Sequence, residues 1–264
     1  MSEAEYQRIT LERRGHVLLI GFNRPDKRNA ADRLLLRELC LAYAELERDP
    51  EARVGLVHAH GDHFTGGLDL ADIGPAIGPE GFDLVPEGGL DPWRVQGAGT
   101  TKPVVVAVQG ICLTLGIELI LAAEVAIADE TASFSQLEVS RAILPFGGAT
   151  LRLPDRIGWG DAMRWMLTGD FFPAAEALRV GLIQEVVPAG EHLTRALEIA
   201  ERIAAQAPLA VQATLANARV ARWQGHPAAA AQLQPELVRL LSTEDARIGM
   251  QSFLDRSTPN YVGR

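Results

Sequence analysis

Lys102 to Glu124 reads KPVVVAVQGICLTLGIELILAAE, and its two halves call for different structures in direct succession. Pro103 to Val108 is an unbroken apolar run of strand length, dominated by valine. Without polar alternation, such a strand is buried on both faces, as in a parallel sheet covered by helices. GICLTLG then leads into a helix expected from about Gly116 to Ala126, and VAIAD leads on to a further strand near Ala132–Phe134. A doubly buried strand followed by a helix is the unit of an α/β fold.

Outward from this stretch the pattern continues. Residues 7–12 and 16–22 read as a strand pair joined at Arg14-Gly15, and RPDKRNAA forms a loop. Leu35, Leu39, Ala42 and Leu46 recur at helical spacing between Leu34 and Glu47, and Asp49-Pro50 stops the helix. Val54–Ala59 is a short apolar strand. Residues 73–100, dense in glycine and proline, read as a long loop or lid with a helical turn near Trp93. Helices are expected around 147–156, 160–168 and 173–180, with LIQEVV as a strand after them. From Glu191 the chain is Ala-rich and helical, and Ser242 with Asp245 resembles a capping box at the start of the last helix. The expected division is a mixed core over 1–190 and a helical region over 191–264.

Composition narrows the function. With 47% hydrophobic and 22% charged residues in 264, the chain can bury a full core. A net charge of −9 argues against a nucleic-acid binder, so an anionic ligand must be met locally by a few basic side chains and N–H groups. The two cysteines, Cys40 and Cys112, lie in apolar segments and read as buried free thiols of a reducing compartment. The N-terminus has no apolar signal region, and the most apolar stretch, Leu113–Ala128, carries Glu118 and Glu124. No membrane span is expected, and the expected location is cytoplasmic.

Two glycine-containing segments, 61–70 and 110–118, each follow a short buried strand. Glycine lets a backbone approach a ligand closely, and two N–H groups converging on one oxygen make an oxyanion hole. Taken singly, each cluster also fits a tight turn. His58, His60 and His63 have spacing that invites a metal, but no ligand set elsewhere completes a site and none is expected.

RPDKRNA, FTGGLDL, KPVVVAVQGICLTLGIELILAAE, ASFSQLEV, LPFGGATLRLPDRIG, LTGDFFPAAEALRVGLIQEVVP and FLDR follow one another in the order of the crotonase pattern. Over roughly residues 8–262 the chain resembles the crotonase (enoyl-CoA hydratase/isomerase) superfamily. The resemblance implies an α/β spiral of ββα units with a C-terminal helical region that builds trimers or hexamers. It also implies an acyl-CoA thioester substrate, whose enolate is stabilised by two backbone N–H groups. These map onto Gly66 and onto Leu115, where Thr114 and Leu115 replace two glycines of the family's usual run.

The family's two catalytic glutamates map onto Glu118 and Glu138. Alone, Glu118 reads as a carboxylate favoured by a helix start, and Glu138 as a solvated acid. Facing one cavity, two carboxylates shift each other's pKa and suit paired acid/base work. Phe146 stands where the family has glycine, and Arg141 brings a cation near the acids. Lys27 and Arg28, otherwise a solvated basic pair, fall in the loop of coenzyme A contacts. Asp69 and Leu70 line the adenine and pantetheine region through backbone atoms, and Arg256 matches a basic position that reaches phosphates across a subunit interface. Coenzyme A is then part of the substrate, with no separate cofactor. The implied reaction is hydration of a 2-enoyl-CoA. An isomerase using Glu138 alone, or a non-catalytic acyl-CoA binding protein, are the alternatives.

Overall fold

The computed structural model describes residues 6–79 and 81–264. β1 (Ile9–Arg14) and β2 (Val17–Phe22) form an antiparallel hairpin that turns at Gly15, whose φ of 58° suits glycine. α1 (Arg33–Arg48) starts at Asp32, whose side chain accepts the Leu35 N–H at 2.8 Å. It buries Leu35, Leu39, Ala42 and Leu46, the stripe expected from spacing. Then come β3 (Val54–Ala59), the short α2 (Leu70–Ile73), β4 (Val104–Val108), β5 (Ile111–Leu113), α3 (Leu115–Ala122), β6 (Val125–Asp129) and β7 (Ser133–Ser135). The rest comprises α4 (Ala149–Ile157), α5 (Trp159–Thr168), β8 (Phe172–Pro173), α6 (Ala174–Arg179), β9 (Glu185–Val187), α7 (His192–Ala204), α8 (Pro208–Gln224), α9 (His226–Leu241) and α10 (Glu244–Asp255).

The main sheet runs β1-β2-β3-β4-β6-β9, parallel from β2 onward. A smaller sheet, β5-β7-β8, lies beside it, and Thr65 bridges onto Cys112 at its edge. Each turn of the chain therefore places one strand in the large sheet and one short strand in the second layer: β3 with Thr65, β4 with β5, β6 with β7. This is the spiral of ββα units implied by the resemblance. All five residues of β4 are buried, because helices cover the sheet on one face and the second layer lies on the other.

Two expectations shift. The helix after Gly116 ends at Ala122 rather than Ala126, because Val125–Ala128 pairs in register with Val105–Val108 and sheet formation wins over helical extension. The cap of the last helix is Thr243, which accepts the Ala246 N–H at 3.1 Å, while the Ser242 hydroxyl donates back to Arg239 O. α7 lays Ala196, Ala200 and Ala204 against Val17, Leu56, Val105 and Ile127.

The 73–100 segment holds a short 3-10 turn at Gly74–Ala76 and a turn near Trp93. Asp91, wholly buried, accepts N–H groups from Trp93, Val95 and Gln96 at 2.8, 2.6 and 2.7 Å. One carboxylate thus replaces the hydrogen bonds that a helix would have supplied. The loop is built around it.

Candidate active site

A cavity of about 580 Å³ opens where the start of α3, the 137–147 segment and the 73–100 loop meet. Its walls are mostly apolar, with Leu84, Trp93, Leu137, Ile143 and Phe146 among them, and both Glu118 and Glu138 face into it. An apolar pocket with a few convergent polar groups is the expected form of a small-molecule site.

Glu118 sits in the first turn of α3 with 3% exposure. Its Oε1 accepts the Ala149 N–H at 3.1 Å. Burial pushes its carboxyl up to about 8; the Ala149 N–H opposes this, and the charge of Glu138 adds to it. Glu138 opens a 3-10 turn (Glu138–Arg141) and is 5% exposed. Its Oε1 accepts from Gln136 Nε2 at 2.7 Å, while its buried Oε2 has no partner among the described residues. Burial pushes this carboxyl up to about 7. Burial thus raises both carboxyls toward neutrality, which suits the pair to exchange protons near neutral pH.

Gly147 forms the wall behind Glu118. A Cβ there would overlap the Glu118 carboxylate. Gly147→Ala is expected to displace that carboxylate and to lower turnover about 100-fold, with little change in melting temperature. An unchanged kcat with the site intact would show that the position of Glu118 is not critical.

The backbone donors differ from expectation in one respect. The Gly66 N–H is not free: it donates to the Arg28 carbonyl at 2.7 Å, and the Gly67 N–H donates to Thr65 Oγ1 at 3.1 Å. The next donor, Leu68 N–H, has no partner among the described residues, and Leu68 lines the pocket. Neighbouring Gly67 and Asp69 bond across to Ala31, which turns the Leu68 N–H away from that pairing. Leu115, at the first position of α3, also lines the pocket, and its N–H lies beyond the reach of the helix's own carbonyls. Trp93 Nε1 donates to the Leu115 carbonyl at 3.0 Å and ties the loop to this point. Thr114 precedes it with φ 47° and ψ −108°, a conformation that costs a β-branched residue roughly 1–3 kcal/mol.

Of the expected coenzyme A contacts, Lys27, Asp69 and Leu70 lie at the pocket. The Asp69 carboxylate is held by Arg24 at 2.8 Å, so its side chain is a structural partner of the loop. The Arg28 side chain is exposed and does not line the cavity; its backbone contributes the carbonyl that engages Gly66. Arg141 lies exposed at the pocket and forms no ion pair with either glutamate among the described residues. Phe146 is a half-buried wall residue. Arg256 caps α10 in a separate groove with Ser252, Phe253 and Leu254, and the single chain does not bring it to the pocket.

The histidines are otherwise engaged. The His58 and His60 rings meet edge-on at 5.1 Å, His60 Nε2 lies 2.8 Å from Thr10 Oγ1, and His63 Nδ1 accepts the Ile111 N–H at 3.2 Å. Trp93, Gln136 and Leu68 are not distinguished as site residues by type or spacing. Only the Gly147-Gly148 pair carried a visible signal of close approach.

The family described as enoyl-CoA hydratase/isomerase matches residues 12–264. Enoyl-CoA hydratase EchA19 of Mycobacterium tuberculosis is 34% identical over 259 residues, 96% of each chain. The 2,3-dehydroadipyl-CoA hydratase of Escherichia coli is 31% identical over 97% of this chain and 99% of its own. Among solved structures, a probable enoyl-CoA hydratase/isomerase from Mycobacterium abscessus superimposes with a TM-score of 0.95 at 54% identity, covering 98% of this chain and 100% of that one.

Proposed function

Because the chain belongs to the enoyl-CoA hydratase/isomerase family, we propose that its pocket adds water across the C2–C3 double bond of a 2-enoyl-CoA thioester. The observation that carries this reading is that Glu118, Glu138, Leu68 and Leu115 share one cavity. Two carboxyls with raised proton affinity line the same cavity as two N–H donors.

The reaction follows from these parts. The thioester oxygen accepts the Leu68 and Leu115 N–H groups, which draws electrons from C3. The ionised carboxylate of the pair takes a proton from water as the water oxygen bonds to C3, and the π electrons move onto the thioester oxygen. The protonated carboxyl gives its proton to C2, and the enolate collapses to a 3-hydroxyacyl-CoA. The proton has crossed from one glutamate to the other by way of water and substrate, so the pair again holds one. No separate cofactor enters, since coenzyme A is part of the substrate. The apolar wall of Trp93, Leu137, Ile143 and Phe146 receives the acyl chain, and Lys27 stands at the exposed side where an anionic carrier group would lie.

The assembly is a homo-oligomer, trimer or hexamer. Its support is the row of exposed apolar residues on α9 and α10: Leu233, Leu237, Val238, Leu241, Phe253 and Leu254. Arg256 adjoins that face, where it would reach a bound substrate from a neighbouring subunit. A cytoplasmic location fits the two buried, unpaired cysteines, and no helix among the described residues is long and apolar enough to cross a membrane.

The test is hydration of crotonyl-CoA and of a longer 2-enoyl-CoA, followed as loss of conjugated thioester absorbance. Formation of a 3-hydroxyacyl-CoA is expected. Double-bond migration in a 3-enoyl-CoA without hydration would assign an isomerase, and tight binding without turnover a non-catalytic binder.

A further inference from the structure

Among the described residues that line the pocket, Thr114 is the one whose backbone conformation favours glycine and whose side chain carries a hydroxyl. Its φ of 47° and ψ of −108° are held by its N–H on Ser135 O at 3.0 Å and by its carbonyl, which accepts the Glu118 N–H at 3.1 Å. At that ψ, the Cβ of an L-residue nearly eclipses the following nitrogen. In a trans peptide the hydrogen of that nitrogen points to the same side. The Thr114 side chain therefore stands beside the Leu115 N–H.

Its other side is fixed by Gly67. A Cβ added to Gly67 would meet Thr114 Oγ1 at 2.5 Å, so the hydroxyl reaches across to the residue just before Leu68. Oγ1 lies between the segments that carry the two free N–H groups, and it has no hydrogen-bond partner among the described residues. A hydroxyl can rotate its proton toward an acceptor.

We propose that the Thr114 hydroxyl is a third hydrogen-bond donor to the thioester oxygen, completing an oxyanion site with the Leu68 and Leu115 N–H groups. This rests on the acyl-CoA reading of the pocket. It also gives a physical reason for a strained threonine at this position: the backbone strain places the hydroxyl where negative charge develops.

The test uses the full-length protein and two readouts. The first is steady-state hydration of crotonyl-CoA by Thr114→Val, Thr114→Ser and wild type. Thr114→Val keeps the shape and loses the donor, so kcat is expected to fall about 10- to 100-fold with KM within about threefold. Thr114→Ser is expected to retain kcat within about threefold. The second is the red shift of cinnamoyl-CoA absorbance on binding, which reports carbonyl polarisation without turnover and stays readable if the hydratase reading itself fails. The shift is expected to shrink in Thr114→Val and to persist in Thr114→Ser. Should the valine variant not fold, Thr114→Gly, which removes strain and hydroxyl together, is expected to show the same smaller shift. An unchanged or larger shift in Thr114→Val or Thr114→Gly overturns the proposal, since the hydroxyl would then be idle or would be blocking a donor.

Discussion

Glu138→Gln lowers kcat for crotonyl-CoA hydration by about 1,000-fold or more, while KM stays within a few-fold. The glutamine has the shape of the acid, and its Oε1 still accepts from Gln136 Nε2, as the glutamate does at 2.7 Å. What changes is the other terminal atom. Oε2 of Glu138 is buried without a partner among the described residues, on a residue that lines the cavity, and as a carboxylate oxygen it can take or give a proton. An amide nitrogen there can do neither. In the proposed reaction the thioester oxygen would meet Leu68 and Leu115, which the substitution leaves in place, so binding is expected to survive the loss of chemistry. Steady-state kinetics with a parallel measurement of acyl-CoA affinity decides the matter. A variant that kept a tenth of the wild-type kcat would remove Glu138 from the proton path.

The contrast between Glu138 and Gly66 shows what could be read from residues alone. Both glutamates lie in segments whose order and type are visible in the chain, and each is brought to the pocket by an element next to it in sequence: α3 for Glu118, the turn after β7 for Glu138. The expected β4 run and the α1 stripe were equally legible, because burial on two faces or on one stripe leaves its own periodicity.

The free donor was not legible in this way. Gly66, Gly67 and Leu68 are consecutive, and which of them keeps its N–H free depends on where the Arg28 and Ala31 carbonyls arrive from another part of the chain. The same holds for β6, where helix and strand were both allowed locally and pairing with β4 decided. Arg256 lies in a groove apart from the pocket in the single chain, and a role across a subunit boundary would leave no trace in the packing of one chain.

Replacing Glu118 by glutamine should yield a protein that is inactive and, above neutral pH, more stable than wild type. The sign follows from linkage. The Glu118 carboxyl, ordinarily at 4.5, is pushed up to about 8 in the fold, so between those values the folded state keeps a proton that the unfolded state has released. Wild-type stability from this group is fully present below 4.5 and is lost as pH rises through 8, at up to about 1.4 kcal/mol per pH unit. A glutamine has no charge to bury, and its Oε1 can keep the Ala149 N–H. The two proteins should therefore melt together near pH 5 and diverge above it. At pH 9 the variant should lead by something on the order of 3 kcal/mol, or roughly 6 °C or more. Melting curves from pH 5 to 9 test this. Parallel curves would mean that the carboxyl is solvated in the fold and is not held in the low-dielectric pocket that general acid/base catalysis requires here. Divergence with rising pH would identify the cost of keeping a catalytic carboxyl dry, which the rest of the core must offset.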